Sequence, residues 1–406
     1  MKIASVDVYT YKIDKHYRIC GVEETPDLIP GTDYYFEPYW PQPYSRKMES
    51  CLIRIETDSG LVGWGEAQAP IMPEVAATIV KSLFGPYLIG QNPLANEALY
   101  HRMYNMMEIR GHGSSFIHDA MAGIDIALWD IKGKHFGVPV CELLGGPFVR
   151  QLPCYVSGLR EETLALNCEA ARSYKAEGFA GIKLFLGHGA QEDLSIVRAI
   201  RQAVGDDYPL YVDLMWKYDL ATNKKIGRAL DRLGVRWIEA PLSPYDIPAH
   251  RELAQAVEAP LAVGEPLRTP YEFQPWFSAG AVGVAQPDIV RTGITAGWKI
   301  AGLAHAFHIP AALHLGACTV IGTAATWQVA AALPNFLIQE YQKGLFEANM
   351  PMLKTPLKVQ SGKLILPETP GLGIEVDEAF VRCHSSETWR IDANGINHTE
   401  PGKMPG

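Results

Sequence analysis

An α/β protein built on a (β/α) barrel, joined to a smaller α+β domain, is the architecture this 406-residue sequence predicts. Two observations carry the prediction. From about residue 150 onward, short Val/Ile/Leu-rich runs alternate with longer amphipathic segments, and the ends of eight such runs recur every 23–29 residues. Continuous apolar strands between helices are parallel strands covered on both faces, and eight regular units fit a barrel better than an open doubly wound sheet. Residues 1–115 follow a different rule, with alternating strand-like stretches first and helical stretches after them.

The eight runs are "LPCYVSG" (152–158), "GIKLFLG" (181–187), "LYVDLM" (210–215), "RWIEAP" (236–241), "PLAVGE" (260–265), "VGVAQPD" (282–288), "IPAALHL" (309–315) and "NFLIQEY" (335–341). Segments such as "DLSIVRAIRQAV" and "KKIGRALDRLG" lie between them, with apolar residues at helical spacing and glycine near several ends. In the first domain, "KIASVDVYTYKI" and "CLIRIETDSGLVGWGEA" read as antiparallel strands turned at Asp58-Ser59-Gly60. Residues 14–47 include "PDLIPGTDYYFEPYWPQPY", too rich in proline and aromatics for a helix and too apolar for a linker; such a loop serves as a lid or an interface. Near the other end, "GKLILPETPGLGIEVDEAF" reads as strand, turn and strand returning to the first domain, with a loose tail beyond Arg382. The expected division is a capping domain over 1–120, completed by about 345–406, and a catalytic barrel over 121–344.

A net charge of −9 argues against nucleic acid or an anionic membrane as partner, because neither polyanion attracts an acidic surface. Seven scattered cysteines without CxxC or zinc spacing indicate reduced thiols. The N-terminus lacks the apolar core of a signal peptide, and no run of eighteen apolar residues occurs. A soluble cytoplasmic protein acting on a small molecule is the expectation.

Three of the runs end in acid: Asp213, Glu239 and Glu265, each 26 residues after the last. In a parallel barrel the carboxyl ends of strands converge on one mouth. Three carboxylates gathered there repel one another and raise each other's pKa unless a cation intervenes, and an all-carboxylate set favours Mg²⁺ over Zn²⁺. One such acid alone would read as a helix cap. Three in phase on consecutive strands read as a metal site.

The phase continues through Asp288, His314 and Glu340, again 26 residues apart. An aspartate on the neighbouring strand can accept from one imidazole nitrogen and fix the tautomer, leaving the other nitrogen to act as a general base. Lys183 points inward, because Phe185 shares its face while Leu184 faces the helices; it would bind a substrate carboxylate, or simply pair with a barrel acid. His188, on the following loop, is weaker; lone loop histidines are usually solvated.

Taken together, "MAGIDIALWDIKGKHFGVPVCELLGG" (121–146), the acids in "VDL", "IEAP" and "GEP", and "QPDIVRTGIT", "HLG" and "PGLGIEVD" resemble the enolase superfamily, of the mandelate racemase and muconate lactonizing enzyme type, over nearly the whole chain. The resemblance implies a modified (β/α)7β barrel under an α+β cap. It also implies Mg²⁺ on Asp213, Glu239 and Glu265, a base dyad of His314 and Asp288, and Glu340 bonding the substrate carboxylate. Loop 14–47 and "AQAPIM" (67–72) would close the mouth. Two departures stand out. Racemases of the family carry Lys-x-Lys on strand two, where this chain has Lys183-Leu184-Phe185, and relatives often place asparagine where it has Met215. A site with one base disfavours 1,1-proton transfer. The implied activity is a lyase, an acid-sugar (aldonate or aldarate) dehydratase giving a 2-keto-3-deoxy acid. Its alternative is a racemase, epimerase or cycloisomerase working through the same enediolate. Tyr44 or His188 could supply a second acid, and a homo-oligomer is expected.

Overall fold

The computed structural model describes residues 1–14 and 27–402. The cap is built on a five-stranded antiparallel sheet in the order Gly395–Thr399, Ser385–Asp392, Ile3–Asp14, Lys47–Thr57, Val62–Ala67. The last two strands are joined by the turn at Asp58-Ser59-Gly60, where Gly60 takes φ 80°. The tail beyond Arg382, expected to be loose, instead supplies two strands: Ser5 to Tyr11 pair with Asp392 to Ser385. The open edge of Ile3–Asp14 offers unpaired backbone groups to it, and Ser385, Thr388 and Ile391 are buried along "SSETWRID". The segment 362–380, expected to be strand, turn and strand returning to the first domain, holds one strand, Lys363–Ile365, which forms a hairpin with Lys358–Gln360 and pairs with the opening barrel strand, Lys363 opposite Pro153, while its far end begins helix Glu378–Cys383.

Helix Phe116–Phe136 joins cap and barrel. It approaches strand Val62–Ala67 so closely that a Cβ on Gly63 would lie 2.2 Å from the Ala127 carbonyl oxygen, and one on Gly65 1.9 Å from that of Gly123. Its buried aspartates are structural. Asp125 accepts from Thr295 N–H (2.8 Å) and Oγ1 (2.6 Å), and Asp130 from Trp64 N–H (3.0 Å) and Leu372 N–H (2.9 Å). Glu66 reaches across as well, accepting from Thr319 N–H (2.7 Å) and Gly322 N–H (2.9 Å), the free donors at the start of helix Val320–Ala332.

Parallel strands Gln151–Ser157, Ile182–Phe185, Leu210–Asp213, Val235–Glu239, Leu261–Val263 and Val284–Ala285 follow in order, and Gln339–Tyr341 pairs with the first to close the barrel. The seventh position is thinner than its apolar run suggests. Among the described residues only the bridges Ala285 to Ala311, Asp288 to His314 and Ala311 to Phe336 span it, and Pro287 and Pro310 bring no N–H to the ladder. Seven helices stand between these strands among the described residues: Leu164–Ala176, Ala190–Val204, Leu220–Arg232, Ile247–Ala254, Pro270–Ala279, Ile289–Ala306 and Val320–Ala332. The interior is plugged by Tyr155, Tyr211 and Trp237, the last two stacked at 3.8 Å, with small Ala262 and Ala312 making room. Above this plug the strand ends carry the polar residues.

Candidate active site

Strand register brings the expected residues to one mouth. Asp213 and Glu239 end adjacent strands as paired residues, Asp213 is also opposite Phe185, and Lys183 is opposite Tyr211. Leu184 packs outward with Leu210 and Val212 against the helices, so Lys183 turns in, as the strand period requires. A cavity of about 460 Å³ opens here. Asp213, Glu265, His314, Lys183 and Glu340 line it from the barrel, and residues 42–45, Gln68 and Ile71 from the cap.

The carboxylates are held by basic and amide groups. Lys183 Nζ lies 2.7 Å from Glu239 Oε1 and 2.9 Å from Glu340 Oε1. Gln286 Nε2 (2.7 Å) and Trp237 Nε1 (3.3 Å) donate to Glu239 Oε2. Arg291 Nη2 donates to Glu265 Oε1 at 3.3 Å. Met215 N–H donates to Asp213 Oδ1 at 2.9 Å, and Met215 and Trp216 both take positive φ (52° and 58°), a strained exit from the strand that turns this bond onto the carboxylate. Burial pushes Asp213 up, Glu239 pushes it further, and it titrates at about 8. Glu340 goes the other way. Burial opposes its charge, but Lys183 and His314 hold it down at about 2, and its Oε2 accepts from Leu315 N–H at 2.9 Å.

His314 Nδ1 stands 2.7 Å from Asp288 Oδ2, and Asp288 Oδ1 accepts from Val290 N–H at 2.9 Å. Asp288 thus fixes the ring while capping helix Ile289–Ala306. Nε2 of His314 faces Glu265 Oε2 at 3.9 Å. Burial depresses the imidazole, but Glu265, Glu340 and Asp288 outweigh it and hold His314 up at about 9.

Among the described residues no three His, Cys, Asp or Glu side chains stand in a ready metal-holding arrangement. The donor chemistry nevertheless fits a hard divalent cation. Glu239 and Glu265 both push Asp213 up, and it remains displaced upward even with Lys183 beside it.

Of the lid residues, 15–26 lie outside the described residues; the rest of 14–47 forms strands Asp27–Leu28, Tyr34–Phe36 and Pro43–Ser45. Trp40 Nε1 donates to Leu186 O (2.9 Å) and Lys217 Nζ to Tyr39 O (2.5 Å), laying this sheet over the exits of strands two and three. Met72 N–H donates to Tyr34 Oη at 2.9 Å, joining it to 67–72. Tyr44 lines the cavity. His188 instead packs edge-on against Tyr39 (4.5 Å) beneath the lid and is not part of the cavity wall.

Three residues at the site escape sequence reasoning: Arg291, Gln286 and Arg160. The first two carried a signal. Arg291 is one helical turn past Asp288, and Gln286 shares the strand face of Asp288 two residues on. Gln68, within the segment 67–72 expected to close the mouth, accepts from Arg291 Nε, whereas Arg160 reaches the mouth from another element, which no spacing in the sequence reports.

Residues 43–145 match the mandelate racemase / muconate lactonizing enzyme N-terminal domain and 165–380 the enolase C-terminal domain-like model. This chain belongs to the mandelate racemase / muconate lactonizing enzyme family of the enolase superfamily. It is 32% identical to a D-galactarolactone cycloisomerase of Agrobacterium fabrum, covering 80% of this chain and 88% of that one. It is likewise 32% identical to a D-galactonate dehydratase of Ralstonia nicotianae, over 88% and 95%. A solved structure of an enolase superfamily member from Agrobacterium tumefaciens superposes with TM-score 0.90 at 28% identity, covering 98% of this chain and 99% of that one. Enzymes of this superfamily are generally magnesium-dependent.

Proposed function

We propose that this chain is a Mg²⁺-dependent carbon–oxygen lyase, an acid-sugar dehydratase that removes the proton α to a carboxylate and expels the β-hydroxyl. The observation that carries the reading is the 2.7 Å dyad of His314 and Asp288 in one cavity with Lys183, while the position where the family's racemases have a second base holds apolar Phe185. Asp213, Glu239 and Glu265 would hold the ion. When bound it supplies positive charge beside the substrate carboxylate, acidifying the α-carbon. Lys183, fixed between Glu239 and Glu340, presents a buried ammonium to the charge that develops as the enediolate forms.

His314 is held up by Glu265 ahead of any other group, so engaging Glu265 elsewhere shifts it down toward the neutral imidazole that a base requires. Nε2 then takes the α-proton, the electron pair moves into the carboxylate, and the Cβ–O bond breaks as the imidazolium returns its proton to the leaving hydroxyl. Water and an enol result, and the enol tautomerises to the 2-keto-3-deoxy acid. Glu340 is ionised in the resting site, so it meets a substrate carboxylate only by sharing a proton with it.

A cycloisomerase is the second reading, favoured by the A. fabrum relative, since one base serves it equally. Incubation with Mg²⁺ and a panel of acid sugars and their lactones, with semicarbazide detection of 2-keto acids, tests both. Dehydration predicts keto acid from an open-chain acid, lost in His314→Asn and in EDTA. Turnover of lactones alone would replace it with cycloisomerisation. Deuterium entering the α-carbon without keto acid would leave only epimerisation.

A further inference from the structure

We propose that Arg291 is a catalytic residue that binds the departing β-oxygen of the substrate, the place for which the sequence offered Tyr44 or His188; the inference rests on the lyase reading above. Arg291 follows the sixth barrel strand and Lys183 lies on the second, so these two cations stand four positions apart, on opposite sides of the mouth. His314 stands beside them at the seventh position, bridged to Asp288. A substrate whose carboxylate lies at Lys183 and whose α-hydrogen meets His314 therefore carries its next oxygen, the β-hydroxyl, toward Arg291.

The guanidinium is fixed at that point. Its Nε donates to Gln68 Oε1 and lies 3.9 Å from Asp288 Oδ2, and its Nη2 donates to Glu265 Oε1 at 3.3 Å. Glu265 turns its other oxygen to His314 Nε2 at 3.9 Å, so one carboxylate lies between guanidinium and base. A Cβ on Gly316 would lie 2.2 Å from Gln68 Nε2 and 3.0 Å from His314 Cε1; glycine there lets the amide that holds Arg291 come in beside the base. The helix is broken two residues on, at Gly293 (φ 75°), and Arg291 leans back from this first turn toward the strand ends.

Nη1 is left over. Among the described residues it meets no acceptor, it is not sealed from solvent, and Arg291, 17% exposed, lines the cavity. A guanidinium does not give up a proton, so Arg291 is not itself the acid. What it supplies is charge at the right atom. As the enediolate pair returns to form the Cα–Cβ double bond, the Cβ–O pair leaves with the oxygen, which the N–H groups of Nη1 meet as its charge grows; His314 then returns the α-proton to that oxygen and water departs.

The test runs wild type, Arg291→Met and Arg291→Lys in D₂O at saturating Mg²⁺ on the acid sugar that wild type turns over best. Semicarbazide reads the 2-keto acid, and mass spectrometry reads deuterium at the α-carbon of recovered substrate. Arg291→Met should slow keto-acid formation about 100-fold or more, the loss typical of one donor to a developing oxyanion. His314, Asp288 and Lys183 are untouched, so α-exchange should persist and the ratio of exchange to elimination should rise at least about tenfold. Arg291→Lys, which keeps the charge, should give an intermediate ratio, and it carries the same comparison if the methionine variant does not fold. Exchange and elimination falling together would place Arg291 behind Glu265 instead of at the substrate, and unchanged elimination would remove it from the reaction; either result overturns this inference and leaves the lyase reading standing. A wild type that forms no keto acid from any acid sugar or lactone sinks the lyase reading, and this inference with it.

Discussion

Replacing Lys183 with methionine removes the one ammonium that lies against two buried carboxylates, Glu239 at 2.7 Å and Glu340 at 2.9 Å, all three side chains being no more than 4% exposed. Removing one partner of a buried pair costs about 3–5 kcal/mol, because the remaining charge stays desolvated. Gln286 and Trp237 still donate to Glu239, and Leu315 N–H to Glu340, so the lower part of that range, about 3–4 kcal/mol, is expected in EDTA. Mg²⁺ should then stabilise the variant more than the wild type, since the ion no longer competes with Lys183 for Glu239. At a free concentration a hundred times Kd, binding to the native state contributes about 2.7 kcal/mol. Urea unfolding in EDTA and over a series of Mg²⁺ concentrations measures both effects. A loss below about 1 kcal/mol in EDTA, or equal Mg²⁺ stabilisation of the two proteins, would refute the reasoning.

Other outcomes follow from the same geometry. Asp213 titrates at about 8, so an ion binding there at pH 7 must displace a proton; Mg²⁺ affinity should strengthen up to about tenfold per pH unit below 8. Calorimetry in two buffers of different ionisation enthalpy should register the released proton, and a pH-independent Kd would contradict it. Burial holds His118 down at about 4, so its neutral form stabilises the fold above pH 6.5 and that contribution drains as pH falls through 4, about 3 kcal/mol by pH 4. His118→Leu should flatten the acid limb of stability by that amount in urea titrations at pH 7 and pH 4. Gly65→Ala places a Cβ 1.9 Å from a helix carbonyl, which only a shift of strand against helix can relieve; roughly 3 kcal/mol of stability should be lost, and an unchanged urea midpoint would count against the close contact.

What the sequence determined by itself was the phase of the site. A parallel strand has a side-chain period of two and a barrel presents every strand end to one mouth, so a carboxylate closing each of three consecutive apolar runs locates Asp213, Glu239 and Glu265 without coordinates. The same rule turned Lys183 inward and set Asp288 beside His314. Tertiary structure decided what those charges touch. That Lys183 lies between Glu239 and Glu340, that Arg291 bridges Gln68 and Glu265, and that Arg160 lies against Phe185 depend on side chains from separate elements meeting in space, which local periodicity does not encode. It also decided the fate of the weak strands. The seventh barrel strand is thinned to bridges, whereas the tail beyond Arg382 became a strand because the open edge of Ile3–Asp14 offered unpaired backbone groups to it.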